Sequence, residues 1–325
     1  MKICIVGAGA IGGYIGAKLA QSDAQVTLIA RGAHLEALQT QGLKLLTTDG
    51  SEVLIKNVVA TQDIQAVGPQ DVVIVALKAQ SVANIAPVLP VLYGPETMVV
   101  TAQNGVPWWY FRKQDGPYEN QRIQAIDPDG VIEAHIPVDR VIGCVVYPAA
   151  ELAAPGVVRH LEGDRFSLGE LDGTKTERIQ QLSKVLRKAG IKALVRTQIR
   201  NELWVKLWGN LAFNPISAIT RATLEQICQY PLTRSLARNM MLEAQAIAEK
   251  LGVEFGVTLE QRIDGAEKVG AHKTSMLQDI ELGRPTEVDA LVGAVAELGR
   301  LTNTPTPHID AVYASVKLLE RSLLA

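Results

Sequence analysis

Three groups of residues have the types and spacing to do chemistry together. The first is Gly7-Ala8-Gly9-Ala10-Ile11-Gly12, a G-x-G-x-x-G turn set between the apolar run Lys2-Ile3-Cys4-Ile5-Val6 and a helical pattern reaching Ala20. In that context Gly7 permits the tight turn, Gly9 lets a pyrophosphate approach the backbone, and Gly12 lets the helix pack against the strand. The amides opening the helix would face the phosphates with the positive end of its dipole. The second is Arg31, which ends the next apolar run, Val26-Thr27-Leu28-Ile29-Ala30, with no acid between Gln25 and Leu35. A nucleotide site for NAD usually has Asp or Glu there, on the ribose 2′-hydroxyl. A carboxylate would repel a 2′-phosphate, whereas a guanidinium pairs with it through two parallel hydrogen bonds. The cofactor this pattern selects is NADPH. The third is Lys206-Asn210-Asn214, one polar stripe at four-residue spacing in a helix whose surrounding residues are mostly Leu, Trp, Val, Ala and Phe. An amine and two amides on a buried helix need partners. A substrate carrying a carboxylate, a ketone and a hydroxyl would supply them. Plainer readings stand beside these: a glycine turn without a ligand, a solvated strand-end arginine, and a lysine that snorkels to solvent.

Strand, helix and turn signals supply the scaffold. Asp71-Val72-Val73-Ile74-Val75-Ala76-Leu77 is a fully apolar strand ending at Lys78, with a helix expected over 81–92. Met98 to Ala102 is another, ending at Gln103-Asn104-Gly105. Arg31, Lys78 and Asn104 therefore sit at strand carboxyl ends, where a doubly wound sheet binds its ligand. Leu43–Thr47 and Val53–Thr61 alternate around Asp49-Gly50 and read as a hairpin or paired edge strands. Residues 156–160 and 165–168 read as an antiparallel pair around Gly163-Asp164. A helix over 174–189 and a strand over 192–195 follow, and the pattern is almost wholly helical from Gln198. The fold class is α/β: an N-terminal Rossmann-type doubly wound sheet over residues 1–197, then an all-helical domain over 198–325. Trp108 to Val138 is the irregular part, opening with Trp108-Trp109-Tyr110-Phe111. It reads either as a surface excursion with locally packed aromatics or as a flap or oligomer contact with exposed ones.

The bulk properties exclude several classes. A length of 325 residues suits two domains, each with its own core. With 32 Lys plus Arg against 34 Asp plus Glu, the net charge of −2 provides no general attraction to nucleic acid or to an acidic membrane. No apolar run reaches the length of a membrane span. Cys4, Cys144 and Cys228 form no C-x-x-C, and the five histidines show no metal spacing, so no metal is expected. The first strand opens at Lys2, so no leader peptide is expected and a reducing cytoplasm is the implied compartment.

With these motifs in order, the chain resembles the ketopantoate reductase family over essentially its whole length. The likeness rests on GAGAIGG at Gly7 to Gly13, Arg31, Leu77-Lys78-Ala79, Gln103-Asn104-Gly105, Lys206-Asn210-Asn214-Pro215, Ser275-Met276-Leu277-Gln278-Asp279 and Thr286-Glu287. The resemblance implies that Lys206 is the proton donor and that Asn104, Asn210, Asn214 and Ser275 hold a 2-oxo acid. It implies that Gly7, Ala8, Gly9, Ala10, Ile11, Gly12, Arg31, Lys78, Asn104 and Glu287 hold NADPH, with Ala150 as a further cofactor contact. It also implies a helical domain like that of 6-phosphogluconate dehydrogenase and admits a homodimer. Two departures are visible. The Trp108–Val138 excursion is longer than in compact bacterial members. Arg221-Ala222-Thr223-Leu224 stands where a further substrate-holding asparagine often follows the stripe. Both bear on which 2-oxo acid is taken, with another 2-oxo acid or an opine-type reaction as the rival chemistry. A silent NADP-binding regulator is the rival of another class, although sensing NADP requires no buried Lys-Asn-Asn row.

Overall fold

A computed structural model describes residues 1–324. The chain divides into two compact units. The first comprises Met1–Gln103, Phe111–Gln121 and Gly130–Ile199, and the second comprises Asn104–Tyr110, Arg122–Asp129 and the remainder from Arg200.

Twelve strands belong to the first unit: β1 (Lys2–Val6), β2 (Gln25–Ile29), β3 (Leu43–Leu46), β4 (Glu52–Ile55), β5 (Val58–Thr61), β6 (Gln70–Val75), β7 (Tyr93–Thr101), β8 (Val141–Val146), β9 (Ala149–Ala154), β10 (Val157–Glu162), β11 (Arg165–Gly169) and β12 (Lys192–Val195). Eight of them form one sheet in the order β12-β11-β8-β7-β6-β1-β2-β5. All its neighbouring pairs are parallel except β11 with β8. From central β1 the chain builds outward through β2 and β5, then returns and builds the other way through β6, β7 and β8. The order reverses between β1 and β6, which is the switch point where doubly wound sheets bind ligands. The continuous apolar runs of β1, β6 and β8 are buried on both faces, as a covered parallel sheet requires. Helices α1 (Ala10–Ala20), α2 (Gly32–Thr40), α3 (Ala79–Ile85), α4 (Val131–His135) and α5 (Glu177–Lys188) complete this unit.

The remaining four strands form a second sheet, β4-β3-β10-β9. The β3–β4 hairpin around Asp49-Gly50 is as expected, but β5 breaks away to edge the large sheet. The expected pairing of 156–160 with 165–168 is not present. Instead β10 pairs with β9 and β3, and β11 lies between β8 and β12. Burial explains the split. Phe166, Ser167 and Leu168 are all buried and need cover on both faces, whereas β10 has exposed positions suited to a half-solvated sheet. β9 carries no strong pattern of its own; it is set off from β10 by the turn Pro155-Gly156, with Gly156 at φ +77°. The helix expected over 81–92 ends at Ile85 and continues as a 3₁₀ segment, Ala86–Leu92, because Pro87 and Pro90 withdraw backbone donors.

The second unit contains α6 (Ile199–Thr220), α7 (Leu224–Gln229), α8 (Pro231–Lys250), α9 (Leu259–Lys268), α10 (Ser275–Glu281), α11 (Ala294–Leu301) and α12 (Pro307–Leu324). A π-helical turn, Asp289–Gly293, runs directly into α11. Trp204, Trp208, Leu211, Phe213, Met240 and Met241 are fully buried, and the Trp208 indole donates to the Met241 carbonyl at 2.6 Å. Among the described residues no helix is long and apolar enough to cross a membrane.

The aromatic start of the excursion is buried, which removes the reading that rested on exposed aromatics. Trp108, Trp109, Tyr110 and Phe111 are between 0% and 6% exposed. The Trp204 indole donates to the Tyr110 hydroxyl at 2.6 Å, and Arg200 Nε donates to the Tyr110 carbonyl at 2.7 Å. Further along, both oxygens of Glu297 accept from the Gln124 and Ala125 amides, at 2.7 and 2.8 Å. Two stretches of the excursion thus belong to the helical unit's own hydrogen-bond system.

Candidate active site

In the first unit the glycine turn leaves β1 at the switch point. Gly7 has φ +101°, and a Cβ there would lie 2.7 Å from Leu77 Cδ2. A Cβ on Gly12 would lie 2.0 Å from the Gly7 carbonyl oxygen, whereas one on Gly9 would meet nothing within 4 Å. So two glycines close the turn and the third leaves its outer side open. The Gly7 and Ala8 amides both donate to the Ile29 carbonyl, at 3.2 and 2.9 Å, tying the turn to β2. No side chain caps α1 and its first turn contains no acid. The leading amides of that helix, Ala10, Ile11 and Gly12, have no helical acceptor and suit an anion. This fits a dinucleotide pyrophosphate.

Arg31 is exposed and is the N-cap residue of α2, which likewise has no side-chain cap and no acid in its first turn. A guanidinium beside an uncapped helix N-terminus has the chemistry to attract an anion. Lys78 is the N-cap residue of α3, just beyond β6. Ala150 lies on β9, packed against the core of this unit, and its strand partner is His160.

His34 was not singled out by the sequence, and its placement is informative. Nδ1 accepts from the Gly156 amide at 2.9 Å, so the ring proton resides on Nε2, which faces the Ala8 carbonyl at 2.7 Å. The ring therefore bridges the glycine turn to the β9–β10 turn only when neutral. Burial lowers its pKa, and the Ala8 carbonyl partly offsets that shift. Because the folded pKa lies below the ordinary value of about 6.5, the unfolded chain binds the proton first. The contribution to stability is complete above about pH 6.5 and is lost as pH falls toward the folded pKa. The melting temperature is expected to drop more steeply below pH 6.5 in the wild type than in His34→Gln, with about 1 kcal/mol at stake for one such hydrogen bond. Parallel pH curves for the two proteins would remove this role for His34.

In the second unit, α6 presents Lys206 and Asn210 half-buried and Asn214 buried, as four-residue spacing requires. Lys206 Nζ donates to Asn104 Oδ1 at 2.6 Å. The Asn104 amide in turn points to Glu287 Oε2 at 3.4 Å. Three expected site residues, separated by up to 183 positions, are thereby brought to one place. Ser275 is the exposed first residue of α10, behind the capping residue Thr274. Gly105 fixes the backbone beside Asn104. It has φ +90°, and a Cβ there would lie 2.5 Å from the Ala290 carbonyl oxygen. The Val106 amide donates to that same oxygen at 2.9 Å. The Asn104-Gly105 dipeptide carried the signal for a left-handed turn; its acceptor on a π-helical turn had none. Among the described residues no group of three or more His, Cys, Asp or Glu side chains is arranged to hold a metal ion. Cys4, Cys144 and Cys228 are buried, and burial pushes the Cys4 thiol up to about 12.

Comparisons with known proteins agree with one another. The family described as "Ketopantoate reductase PanE/ApbA" matches residues 3–173, and "Ketopantoate reductase PanE/ApbA C terminal" matches residues 198–320. A 2-dehydropantoate 2-reductase of Mesorhizobium japonicum is 56% identical over 320 residues, covering 98% of each chain. A solved structure from Ralstonia solanacearum MolK2 is 43% identical with a TM-score of 0.93, covering 99% of this chain and 98% of the other. The crystal structure of 2-dehydropantoate 2-reductase from Geobacter metallireducens GS-15 is 26% identical with a TM-score of 0.86, covering 98% and 99%.

Proposed function

The chain belongs to the ketopantoate reductase family, and from that premise we propose that it reduces 2-dehydropantoate to (R)-pantoate with NADPH. The observation that carries the reading is the 2.6 Å hydrogen bond from Lys206 to Asn104, at the head of the Asn210–Asn214 stripe. NADPH, when bound, supplies the hydride for the ketone carbon. The glycine turn and the opening of α1 hold the pyrophosphate, Arg31 takes the 2′-phosphate, and Lys78, Ala150 and Glu287 are further cofactor contacts. Lys206 donates its proton to the developing alkoxide oxygen. Asn104 accepts from the ammonium and so keeps it aimed, while Asn210, Asn214 and Ser275 hold the polar groups of the substrate. Aiming a preformed cation at the oxygen where charge develops is the kind of interaction that lowers a barrier rather than merely tightening binding.

The domain assignment follows mostly the same division of labour: residues 1–197 chiefly for the nucleotide and 198–325 chiefly for the substrate, with Glu287 of the latter a cofactor contact and with Asn104–Tyr110 and Arg122–Asp129 grouping with the second compact unit. The soluble cytoplasm is the proposed compartment and a homodimer the proposed assembly, the latter testable by sedimentation. The test of function is NADPH absorbance against a panel of 2-oxo acids. The highest kcat/KM is expected for 2-dehydropantoate. A better rate with another 2-oxo acid would reassign the substrate, and no turnover with any member of the panel would favour the NADP-binding regulator.

A further inference from the structure

The segment that carries Glu287 is held by an arrangement the proposed reaction does not use directly. In an α-helix the Ala294 amide would donate to the Ala290 carbonyl, four residues back. Here it donates to the Asp289 carbonyl, five back, in the π-helical turn Asp289–Gly293. That leaves the Ala290 oxygen to the Val106 amide at 2.9 Å, with Gly105 packed against it. The π turn therefore creates the acceptor on which the Asn104 segment is seated. Such turns are rare and occur frequently at functional sites.

Helix α12 fastens this turn from outside. The Tyr313 hydroxyl donates to Asp289 Oδ1 at 2.6 Å, and Lys317 Nζ donates to Asp289 Oδ2 at 3.0 Å. One turn further on, Glu320 Oε1 accepts from both the amide and the hydroxyl of Thr286, each at 2.6 Å. The Tyr313 ring lies 3.0 Å from where a Cβ of Gly293 would be. Glu287 is thus bracketed by two clamped residues, Thr286 and Asp289.

We propose that Tyr313, through Asp289 and the π turn, is a positioning residue for the Glu287–Asn104–Lys206 cluster. This rests on the reading of Lys206 as proton donor. Without the Tyr313 hydroxyl, Asp289 keeps only Lys317 among these α12 contacts. The turn can then relax toward ordinary α geometry, in which Ala294 competes with Val106 for the Ala290 oxygen. Asn104 shifts, and the ammonium it aims shifts with it. A misplacement on the order of 1 Å can cost about a hundredfold in rate.

The test uses the full chain with NADPH and 2-dehydropantoate. Tyr313→Phe keeps the ring on Gly293 and is expected to lower kcat about ten- to a hundredfold, with KM for NADPH changed less than about twofold. In a Lys206→Ala background the same substitution should lower kcat by less than about twofold, because its effect runs through the lysine. Asp289→Asn is the second variant and should move kcat in the same direction. Wild-type kcat in both variants, or a loss that multiplies undiminished onto Lys206→Ala, would overturn the clamp. If Lys206→Ala itself kept wild-type kcat, the proton-donor reading would fall along with it. Loss in both clamp variants beside a collapsed Lys206→Ala, without multiplication, supports both.

Discussion

Lys206→Ala is expected to lower kcat for 2-dehydropantoate by about 10²–10⁴-fold, the usual effect of losing a positioned general acid. KM should rise as well, because part of the lysine's interaction with the ketone or hydroxyl exists before the transition state. NADPH affinity should stay near the wild-type value. The glycine turn, Arg31 and Lys78 belong to the first compact unit, and Lys206 to the second. A lysine that merely snorkels predicts a different pattern: a lower melting temperature with near-normal turnover per folded molecule. The hydrogen bond to Asn104 argues against that pattern, since a snorkelling head group would be solvated instead. Measuring NADPH affinity, melting temperature and steady-state kinetics on one preparation separates the two. If the variant keeps more than about a tenth of wild-type kcat, Lys206 is not the proton donor.

Arg31→Ala is expected to weaken NADPH binding by about ten- to a hundredfold while changing NADH binding little. A charge-assisted pair with a 2′-phosphate contributes on the order of 1.5–3 kcal/mol. The first turn of α2, behind Arg31, has no acid and no side-chain cap to compete with a phosphate. Because α2 retains its own N-terminal dipole in the variant, some preference for NADPH should survive. Titration of both nucleotides by fluorescence or calorimetry reads the difference. Equal weakening of the two would mean that Arg31 senses no 2′-phosphate.

The glycine turn of the candidate nucleotide site was legible in the sequence because its information is local. The order strand, glycine turn, helix and strand fits within about 30 residues, and each glycine's role follows from covalent geometry and close approach. The stripe on α6 was legible for the same reason: a period of 3.6 residues places Lys206, Asn210 and Asn214 on one face whatever they meet there. Strand ends were legible too: Arg31, Lys78 and Asn104 follow the carboxyl ends of β2, β6 and β7.

Pairing over long distances was not legible. β10 and β11 are neighbours in sequence around a good turn, yet they join different sheets, because burial on both faces outweighs turn propensity. Trp108–Phe111 could have been an exposed patch; they are buried, and Tyr110 takes hydrogen bonds from Arg200 and Trp204, some 90 positions away. The hydrogen bonds from Lys206 to Asn104 and from Asn104 to Glu287 span 102 and 183 positions. No periodicity encodes these contacts. Beside Asn104, Gly105 approaches the Ala290 carbonyl of a π turn more closely than a Cβ would allow, and α12 is hydrogen-bonded to that turn through Tyr313 and Asp289. The sequence determined which groups the chain carries and which face of each element they occupy. The tertiary structure decided which of them meet, because hydrogen-bond partners are fixed by packing rather than by spacing along the chain.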